Sequence, residues 1–557
     1  MKGEYQTVSN LINHTDKFLV PIYQRKYEWE KKHCKKLFDD MTTIKNHYIG
    51  NIICVKAETT SNIMEIIDGQ QRITTIFLIL WAMYHLIKNG LVKSEISCDE
   101  IHEDFLIKKF LKQKNNYRLS PNKKDSADFE AVIENKIDVN NKYHSKIIEN
   151  YKFFYKELQK EGKSIDFIYE SIQNSGVVAI TALKSENPQL IFESINSTGR
   201  PLKLYDKVKN FLLMQLKTED QNELYNKYWE KIEELSTSTK KDELEAFIKD
   251  YLFLKNKGTQ EDTAYEKFKQ YILDLNGTTA EKILKEMARY SGLYRHIISF
   301  DTNFPKINIL LQNIYLLGQN TIRPLLLVIL DLLDEKDIND KIAINILSFL
   351  EIYIFRRQIC LDKKDENLRP FSLALKRVII EKNGDIFSNF LTRISQFGIG
   401  FAFPDDDSFK EGFKCKSFGK FPQNLKIYAL SKILNANNKE YVDVYNHRDI
   451  YTVEHIMPQT LSPEWKKDLG ENFIDIKKTY INRIGNLTLI GYNSELGNKP
   501  FSYKKSKYIK SCFDLNKKLC DFEKFGSNEI EKRTEILYNI AAQIWKYPEK
   551  NKEEVKQ

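Results

Sequence analysis

The feature that most constrains the fold is a short strand pattern that ends in an acidic residue and a histidine. Residues 451–458 (YTVEHIMP) place Glu454 and His455 on a β-branched strand that a proline closes. A second apolar strand pattern, residues 484–490 (IGNLTLI), follows, with asparagines and a Lys-rich helix behind it. The order strand, strand, helix predicts a small ββα unit that holds polar side chains in one groove.

These side chains are the ones that hydrolysis of a phosphodiester at one metal ion needs. His455 would take a proton from the attacking water, and Asn486, predicted on the second strand, would fix the loop that holds the histidine. Glu454 with either Asn493 or Asn498 would bind Mg²⁺ or another divalent cation that prefers oxygen ligands. The pattern resembles a ββα-metal, or HNH, nuclease core.

A basic helix is predicted directly after this motif. Residues 499–510 (KPFSYKKSKYIK) interleave lysines with aromatic residues. Lys499, Lys504, Lys505 and Lys507 are predicted to contact the DNA backbone, where cations replace condensed counterions. Taken alone, such a run is usually a solvated helix face and the asparagines are turn formers; their joint order with His455 favours a nuclease.

Length and composition set wider bounds. A chain of 557 residues predicts two to four domains, and a net charge of +9 allows nucleic-acid binding without proving it. Seven scattered cysteines without a Cys-x-x-Cys pair argue against a zinc ribbon and a disulfide framework. The start lacks an apolar signal segment, and no apolar run reaches the ~20 residues of a membrane span, so we expect a cytoplasmic protein without membrane contact.

Three regions differ in their predicted secondary structure, and together they predict an α+β multidomain protein. Residues 1–212 mix short strands with helices, residues 213–395 are mainly helical, and residues 396–557 carry the ββα motif within a helical surround. The first region includes strand candidates at residues 18–23, 48–55 and 64–67 and a buried helix over residues 74–88.

The N-terminal region contains two unusual phrases, residues 21–29 (PIYQRKYEW) and residues 66–75 (IIDGQQRITT). In the second, a buried strand ends, Asp68 and Gly69 allow a sharp turn, and Arg72 lies at the first turn of a helix. A helix N-terminus with an arginine suits a phosphate group. The alternative is that Arg72 pairs with Asp68 or Asp39 and the glutamines only cap the helix. No P-loop pattern occurs in the chain.

These phrases resemble the hallmarks of the ParB-like N-terminal domain of GmrSD-type restriction endonucleases, which are modification-dependent (type IV) enzymes. Residues 191–202 (IFESINSTGRPL) resemble a third segment of that family, and residues 403–409, 454–459 and 485–489 resemble its nuclease half. The resemblance implies a ParB-like α/β domain that binds and hydrolyses a nucleoside triphosphate, with GTP, UTP, CTP and ATP all open. The implied nucleotide-binding residues are Gln24, Arg25, Asp68, Gly69, Gln70, Gln71, Arg72, Thr74 and Asn196, and Arg72 is also implied in catalysis. Glu454 stands where many HNH enzymes carry aspartate.

The resulting hypothesis is an endonuclease that depends on an NTP and a metal and cleaves modified DNA, such as that of a phage. Its role would be antiviral defence, and it is a possible homo-oligomer. One alternative keeps the fold but makes the chain an abortive-infection toxin that cuts host nucleic acid. Another treats the ParB-like half as a docking module for DNA or a partner, without hydrolysis.

Overall fold

The computed structural model describes most of the chain. The described residues are 2–56, 62–108, 116–138, 141–160, 162, 164–182, 203–214, 216–236, 243–255, 264–274, 279–361, 367–381, 384–398, 401–436 and 438–547. The third family-like segment, residues 191–202 with Asn196, lies outside them.

The chain divides into two compact units. The first comprises Met1–Leu252 and Glu261–Arg289, and the second comprises Phe253–Gln260 and Tyr290–Gln557. The predicted helical region, residues 213–395, therefore contributes residues to both units. The domain boundaries at residues 212 and 395 stay predictions.

The first unit contains a mixed six-stranded sheet with the strand order β1-β6-β3-β4-β2-β5. The strands are β1 (Lys2–Thr7), β2 (Lys17–Leu19), β3 (Tyr48–Lys56), β4 (Ile63–Asp68), β5 (Leu119–Ser120) and β6 (Gly176–Ala182). β1 pairs antiparallel with β6, and β3 pairs antiparallel with β4, whereas the β3–β6, β2–β4 and β2–β5 pairs are parallel. The strands predicted at residues 48–55 and 64–67 are present, whereas the strand predicted at residues 18–23 ends at Leu19 and the chain turns over residues 20–23.

Helices cover this sheet. They are α1 (Val8–Asn13), α2 (Lys31–Thr43), α3 (Gln70–Lys88), α4 (Cys98–Ile101), α5 (Ser126–Ile133), α6 (Lys146–Leu158) and α7 (Ile165–Asn174). The predicted buried helix is α3, which begins four residues earlier than expected because Gly69 ends β4 with a left-handed backbone and starts the helix at Gln70. Its apolar residues lie in the core on nearly all sides, as the lack of a polar face predicts.

Every regular element between residues 203 and 398 of the described chain is a helix, as the sequence predicted. These helices are α8 (Leu204–Leu213), α9 (Thr218–Leu224), α10 (Glu230–Glu233), α11 (Glu243–Lys255), α12 (Ala264–Asp274), α13 (Ala280–Ser299), α14 (Pro305–Leu316), α15 (Arg323–Asp334), α16 (Asp340–Cys360), α17 (Arg369–Glu381) and α18 (Ile386–Ser395). A short π-helical turn, Tyr225–Trp229, joins α9 to α10.

The remaining elements of the second unit surround a two-stranded sheet. They are α19 (Asp406–Cys415), α20 (Gln423–Ala436), β7 (Thr452–His455), α21 (Pro463–Leu469), α22 (Phe473–Tyr480), β8 (Leu487–Ile490), α23 (Asn493–Leu496), α24 (Phe501–Tyr508), α25 (Asp514–Lys517) and α26 (Ser527–Ile544). A local core that includes Ile456, Trp465, Phe501 and Ile530 joins the segment just after β7 to α21, α24 and α26. The fold is mixed α+β, whereas the ParB-like and HNH descriptions stay predictions.

Two global expectations can be compared with this fold. No helix in the described ranges combines the length and the apolar character that crossing a bilayer demands. All seven cysteines are free thiols, in agreement with their scattered positions.

Candidate functional site

Two short antiparallel strands carry the C-terminal motif. In the β7–β8 register His455 lies opposite Leu487, and Glu454 lies opposite Thr488. Successive side chains of a strand point to opposite faces. Glu454 and His455 therefore leave β7 on opposite faces instead of sharing one groove, and only Glu454 is buried in the core.

The carboxylate of Glu454 is bonded to the ammonium of Lys504. Lys504 Nζ donates to Glu454 Oε1 over 2.6 Å and to the carbonyl oxygen of His455 over 2.9 Å. Lys504 is buried because it shares the inner face of α24 with Phe501 and Tyr508. Burial raises the pKa of Glu454 and lowers the pKa of Lys504, and their attraction offsets part of each shift. This arrangement does not support the predicted DNA contact of Lys504, since its ammonium is enclosed.

His455 is half-buried and faces Asn482. Its Nε2 atom lies 3.3 Å from Asn482 Oδ1. Burial lowers the pKa of His455, the hydrogen bond to Asn482 raises it, and the charges of Lys426 and Lys504 lower it further. Because the net shift is downward from 6.5, the ring is neutral near pH 7, which is the state that a general base needs.

Lys426 is the second cation that acts on His455. It lies on α20, which packs against both β7 and β8. It is half-exposed, burial alone accounts for its lowered pKa, and no carboxylate of the described chain forms an ion pair with it. An accessible cation beside a neutral histidine suits an anionic substrate.

Asn486 lies at the end of a 3-10 turn, Ile484–Asn486, directly before β8 and not on it. Its Oδ1 accepts the Met457 N–H over 2.7 Å, and its Nδ2 donates to the carbonyl oxygens of Met457 (3.0 Å) and Ile481 (2.8 Å). The fully buried amide thus fixes the chain just past His455. This geometry agrees with the predicted loop-fixing role and leaves the amide no contact with a substrate.

Helix α26 supports the same turn from the other side. Arg533 Nη1 donates to the carbonyl oxygens of Gly485 and Leu487, each over 2.8 Å. A Cβ atom on Gly485 would lie 2.3 Å from the carbonyl oxygen of Ile530 and 2.3 Å from Thr534 Oγ1. Glycine is therefore required here because α26 passes directly against the backbone of the turn.

The predicted metal ligands are only partly brought together. Asn493 begins α23, and its Nδ2 donates to Thr452 Oγ1 and the Val453 carbonyl, each over 3.1 Å. Its Oδ1 accepts no hydrogen bond from the described residues, whereas Asn498 lies in an exposed turn. The described part of the chain contains no group of three or more His, Cys, Asp or Glu side chains that could hold a metal. While Glu454 is bonded to Lys504, these residues do not fit Mg²⁺ through that carboxylate.

The other predicted DNA contacts differ in accessibility. Lys505 Nζ donates to the carbonyl oxygen of Phe522 over 2.8 Å, and Lys507 forms an ion pair with Glu495. Lys499 is exposed. Lys499, just before α24, and Lys507, on α24, therefore remain at the surface, whereas the ammonium of Lys505 bonds to the protein backbone.

The two N-terminal phrases are brought together, as the resemblance implied. We call residues 24–29 the strap. Gln70 Nε2 donates to the carbonyl oxygen of Arg25 over 3.1 Å, and Gln24 Nε2 donates to that of Ile67 over 2.9 Å. The amides of Gln24 and Gln70 are thus bonded to the protein backbone, and neither glutamine caps the N-terminus of α3, which has no side-chain cap.

Gln71 completes this arrangement. Its Oε1 accepts the N–H groups of Glu28 (2.9 Å) and Trp29 (3.1 Å), and its Nε2 donates to the carbonyl oxygen of Lys26 over 3.2 Å. Thr74, also implied in nucleotide binding, is buried. Both amide atoms of Gln71 therefore bind the strap, and every bond goes to main-chain atoms.

Arg72 supports a bulge of β3. Its Nη1 donates to the carbonyl oxygen of Asn51 over 2.6 Å, and its Nη2 lies 3.7 Å from Asp68 Oδ2. Gly50 has φ +102°, and a Cβ there would lie 2.6 Å from Arg72 Nη1. Gly69 has φ +92°, and a Cβ there would lie 2.4 Å from an isoleucine side chain of β3. Both glycines are required, and the predicted Arg72–Asp68 alternative is present.

Two buried polar residues bond to the main chain of the strap and of the residues just before it. Asn122 Nδ2 donates to the carbonyl oxygens of Pro21 (3.1 Å) and Gln24 (2.9 Å), and Asp125 Oδ2 accepts the Tyr27 N–H over 2.7 Å. Burial raises the pKa of Asp125 to about 6. Among the implied nucleotide ligands, Arg25, Asp68 and Arg72 remain partly exposed.

Sequence reasoning missed Asn482, Asn122, Asp125 and Arg533. Only Arg533 gave a usable signal, because it interrupts an otherwise apolar face of α26 that includes Ile530, Leu537 and Ala541. Asn482 lies in a turn, and Asn122 and Asp125 lie before and at the end of a short 3-10 helix, where Asn and Asp are common for local reasons.

Comparison with known families agrees with the resemblance drawn from these motifs. Residues 8–213 match the model of the GmrSD restriction endonuclease N-terminal domain, and residues 403–540 match that of the GmrSD restriction endonuclease C-terminal domain. No curated protein sequence matches the chain. The two matches contain the strap with its glutamines and the β7–β8 motif, respectively, and they define a restriction endonuclease.

The chain belongs to the GmrSD restriction endonuclease family. The resemblance seen in its motifs is therefore confirmed.

Proposed function

We propose that this restriction endonuclease cleaves modified DNA, such as that of a phage, under the control of a nucleoside triphosphate and with a divalent metal, in antiviral defence. Family membership supports DNA cleavage. The observation that carries the site assignment is a half-buried His455 whose Nε2 lies 3.3 Å from Asn482 Oδ1 and whose pKa burial lowers.

In this proposal His455 is the general base. Its free ring nitrogen takes a proton from water, the water oxygen bonds to phosphorus, and the ester oxygen leaves with the electron pair of its P–O bond. Lys426 faces the phosphate and stabilises the charge that develops on its oxygens. Asn486 and Lys504 hold the backbone on either side of the ring and do not touch the substrate.

Cleavage of a panel of unmodified, glucosylated and phosphorothioated DNA by the full chain tests this assignment. We expect His455→Ala to lower the cleavage rate by about 10²- to 10⁴-fold, the usual contribution of a general base. His447→Ala, which alters an exposed histidine of the same unit, is the matched control. Unchanged nicking by His455→Ala would remove the nuclease site, and equal cleavage of all substrates would remove modification dependence.

Magnesium dependence is a separate part of the proposal, because Glu454 is occupied by Lys504. Cleavage is measured after EDTA treatment and after Mg²⁺ is restored. Loss and recovery would support a cation held by Asn493 and other donors. Full activity in EDTA would contradict the predicted metal requirement.

Nucleotide hydrolysis is proposed for the N-terminal half on the basis of its family resemblance and the partly exposed Arg25, Asp68 and Arg72. NTP turnover by the wild type, Arg25→Ala and Arg72→Ala is compared with that of Lys36→Ala, an exposed control on α2. We expect NTP turnover to be lost in Arg25→Ala and Arg72→Ala and to be retained in Lys36→Ala. Circular dichroism identifies any unfolding of Arg72→Ala, which also removes a backbone bond.

The docking-module alternative is favoured by one observation. Gln24, Gln70 and Gln71 use their amides to bond main-chain atoms of β4 and the strap, so these amides hold the backbone rather than a ligand. If the wild type hydrolyses none of the four common NTPs with or without modified DNA, this alternative replaces the NTPase proposal.

A further inference from the structure

Asn482 contacts His455 from a turn whose position is fixed on several sides. The Phe418 N–H donates to the carbonyl oxygen of Asn482 over 2.8 Å. Its two chain neighbours are also bonded: Asn486 Nδ2 donates to the Ile481 carbonyl over 2.8 Å, and Arg483 Nη1 donates to the Lys414 carbonyl over 2.8 Å. The backbone that carries Asn482 is therefore held in place before any substrate binds.

The side chain of Asn482 also packs closely against a glycine. A Cβ atom on Gly419 would lie 2.5 Å from Cγ, 2.6 Å from Nδ2 and 2.7 Å from Oδ1 of Asn482. The amide therefore packs directly on the backbone of residue 419, and a side chain there would require the amide to move. Any side chain there would push the amide away from His455.

The chemistry of the pair follows from which atoms meet. A neutral imidazole carries one N–H and one lone pair, and its two nitrogens exchange these roles between tautomers. An amide oxygen can only accept a hydrogen bond. Asn482 Oδ1, at 3.3 Å from Nε2, therefore favours the tautomer with the proton on Nε2.

We propose that Asn482 is a positioning residue that keeps the proton of His455 on Nε2 and thereby leaves Nδ1 as the atom that accepts the proton of the attacking water. This inference rests on the proposed role of His455 as general base. It assigns the role of base to one ring nitrogen. It also gives Gly419 a part in the arrangement, because the Asn482 amide packs on the backbone there.

The test uses ¹⁵N-histidine NMR of the full-length chain at about pH 8, above the ordinary histidine pKa. His455→Ala identifies the resonances of residue 455. We expect the wild type to show the Nε2–H tautomer. Asn482→Ala should give a mixture of tautomers and cleave on the order of 10- to 100-fold more slowly, as for other partners that orient a histidine.

Asn482→Asp separates this role from a purely structural one. A carboxylate accepts hydrogen bonds but cannot donate them, so this variant should keep the Nε2–H tautomer and cleave faster than Asn482→Ala. Gly419→Ala should reproduce the tautomer change of Asn482→Ala. Asn472→Ala, at an exposed helix end, and Gly292→Ala, where a Cβ meets nothing within 4 Å, are the controls.

Two results would overturn the inference. One is a wild-type Nδ1–H tautomer, in which the amide Nδ2 donates to Nε2. The other is an Asn482→Ala protein that keeps the Nε2–H tautomer and full cleavage. Both leave the proposed function intact, whereas cleavage by His455→Ala would remove the proposed function without bearing on the tautomer.

Discussion

At the scale of single residues, buried charges decide more of the local geometry than exposed ones do. The ammonium of Lys504 bonds Glu454 and the backbone of His455 within the core of the second unit. The lysine run predicted a DNA-contacting face, but the sequence could not tell which lysine points inward. The spacing 501, 504, 508 of one helix face is visible only when the helix register is known.

Lys504→Met should lower the free energy of unfolding by about 3–5 kcal/mol, because it leaves the carboxylate of Glu454 buried without its partner. The combined change Glu454→Leu with Lys504→Leu should recover most of that loss, since apolar residues can replace a buried pair. Urea unfolding of both variants measures the difference. Equal losses in both would contradict the pair as the cause.

Asp125 gives the first unit a pH-dependent stability. Its folded pKa of about 6 exceeds the ordinary value of 3.8, so its contribution is fully present below 3.8 and is lost as pH rises towards 6. The loss amounts to about 3 kcal/mol from the two-unit difference. We expect Asp125→Asn to lack this pH dependence and to be at least as stable as the wild type at pH 7, because an amide oxygen still accepts the Tyr27 N–H. Glu130→Gln, on the exposed face of α5, should keep the wild-type pH dependence between pH 4 and 6.

At the scale of elements, α26 determines where the motif turn lies. The sequence predicted the two strands, the basic helix and the buried α3 from their periodicity. It did not predict that a helix some 48 residues further along the chain supports Gly485 through Arg533, because such contacts depend on tertiary packing. The one-residue displacement of Asn486 from β8 has the same origin, since its amide bonds hold it in the turn.

Gly485→Ala should destabilise the second unit by at least about 1–3 kcal/mol, the usual range for overpacking. The added methyl meets the backbone oxygen of Ile530, which cannot rotate away. Thermal unfolding of this variant is compared with that of Gly292→Ala, where the methyl has open space. An unchanged midpoint for Gly485→Ala would show that α26 does not press on the turn.

At the scale of the whole molecule, the two candidate chemistries belong to different units. The strap and Arg72 lie in the first unit, and His455 lies in the second. Each unit has hydrophobic residues of its own in a core. The sequence identified both motifs and their family, but it did not reveal that the glutamines bind the backbone.

We therefore expect His455→Ala to slow DNA cleavage by about 10²- to 10⁴-fold while NTP turnover stays within about twofold of the wild-type rate, since no atom of the first unit is changed. Phosphate release is measured with and without modified DNA. A parallel loss of turnover would indicate that cleavage itself drives hydrolysis.

The way in which the glutamines hold the strap has an implication for diversification. The glutamine amides bond only to peptide groups. The outward-facing side chains of Arg25, Lys26 and Glu28 therefore take no part in the hydrogen bonds that hold their own main chain. The side chains at these three positions can therefore change without loss of the hydrogen bonds that the glutamines make. Substitutions at these three positions should leave the surrounding architecture undisturbed.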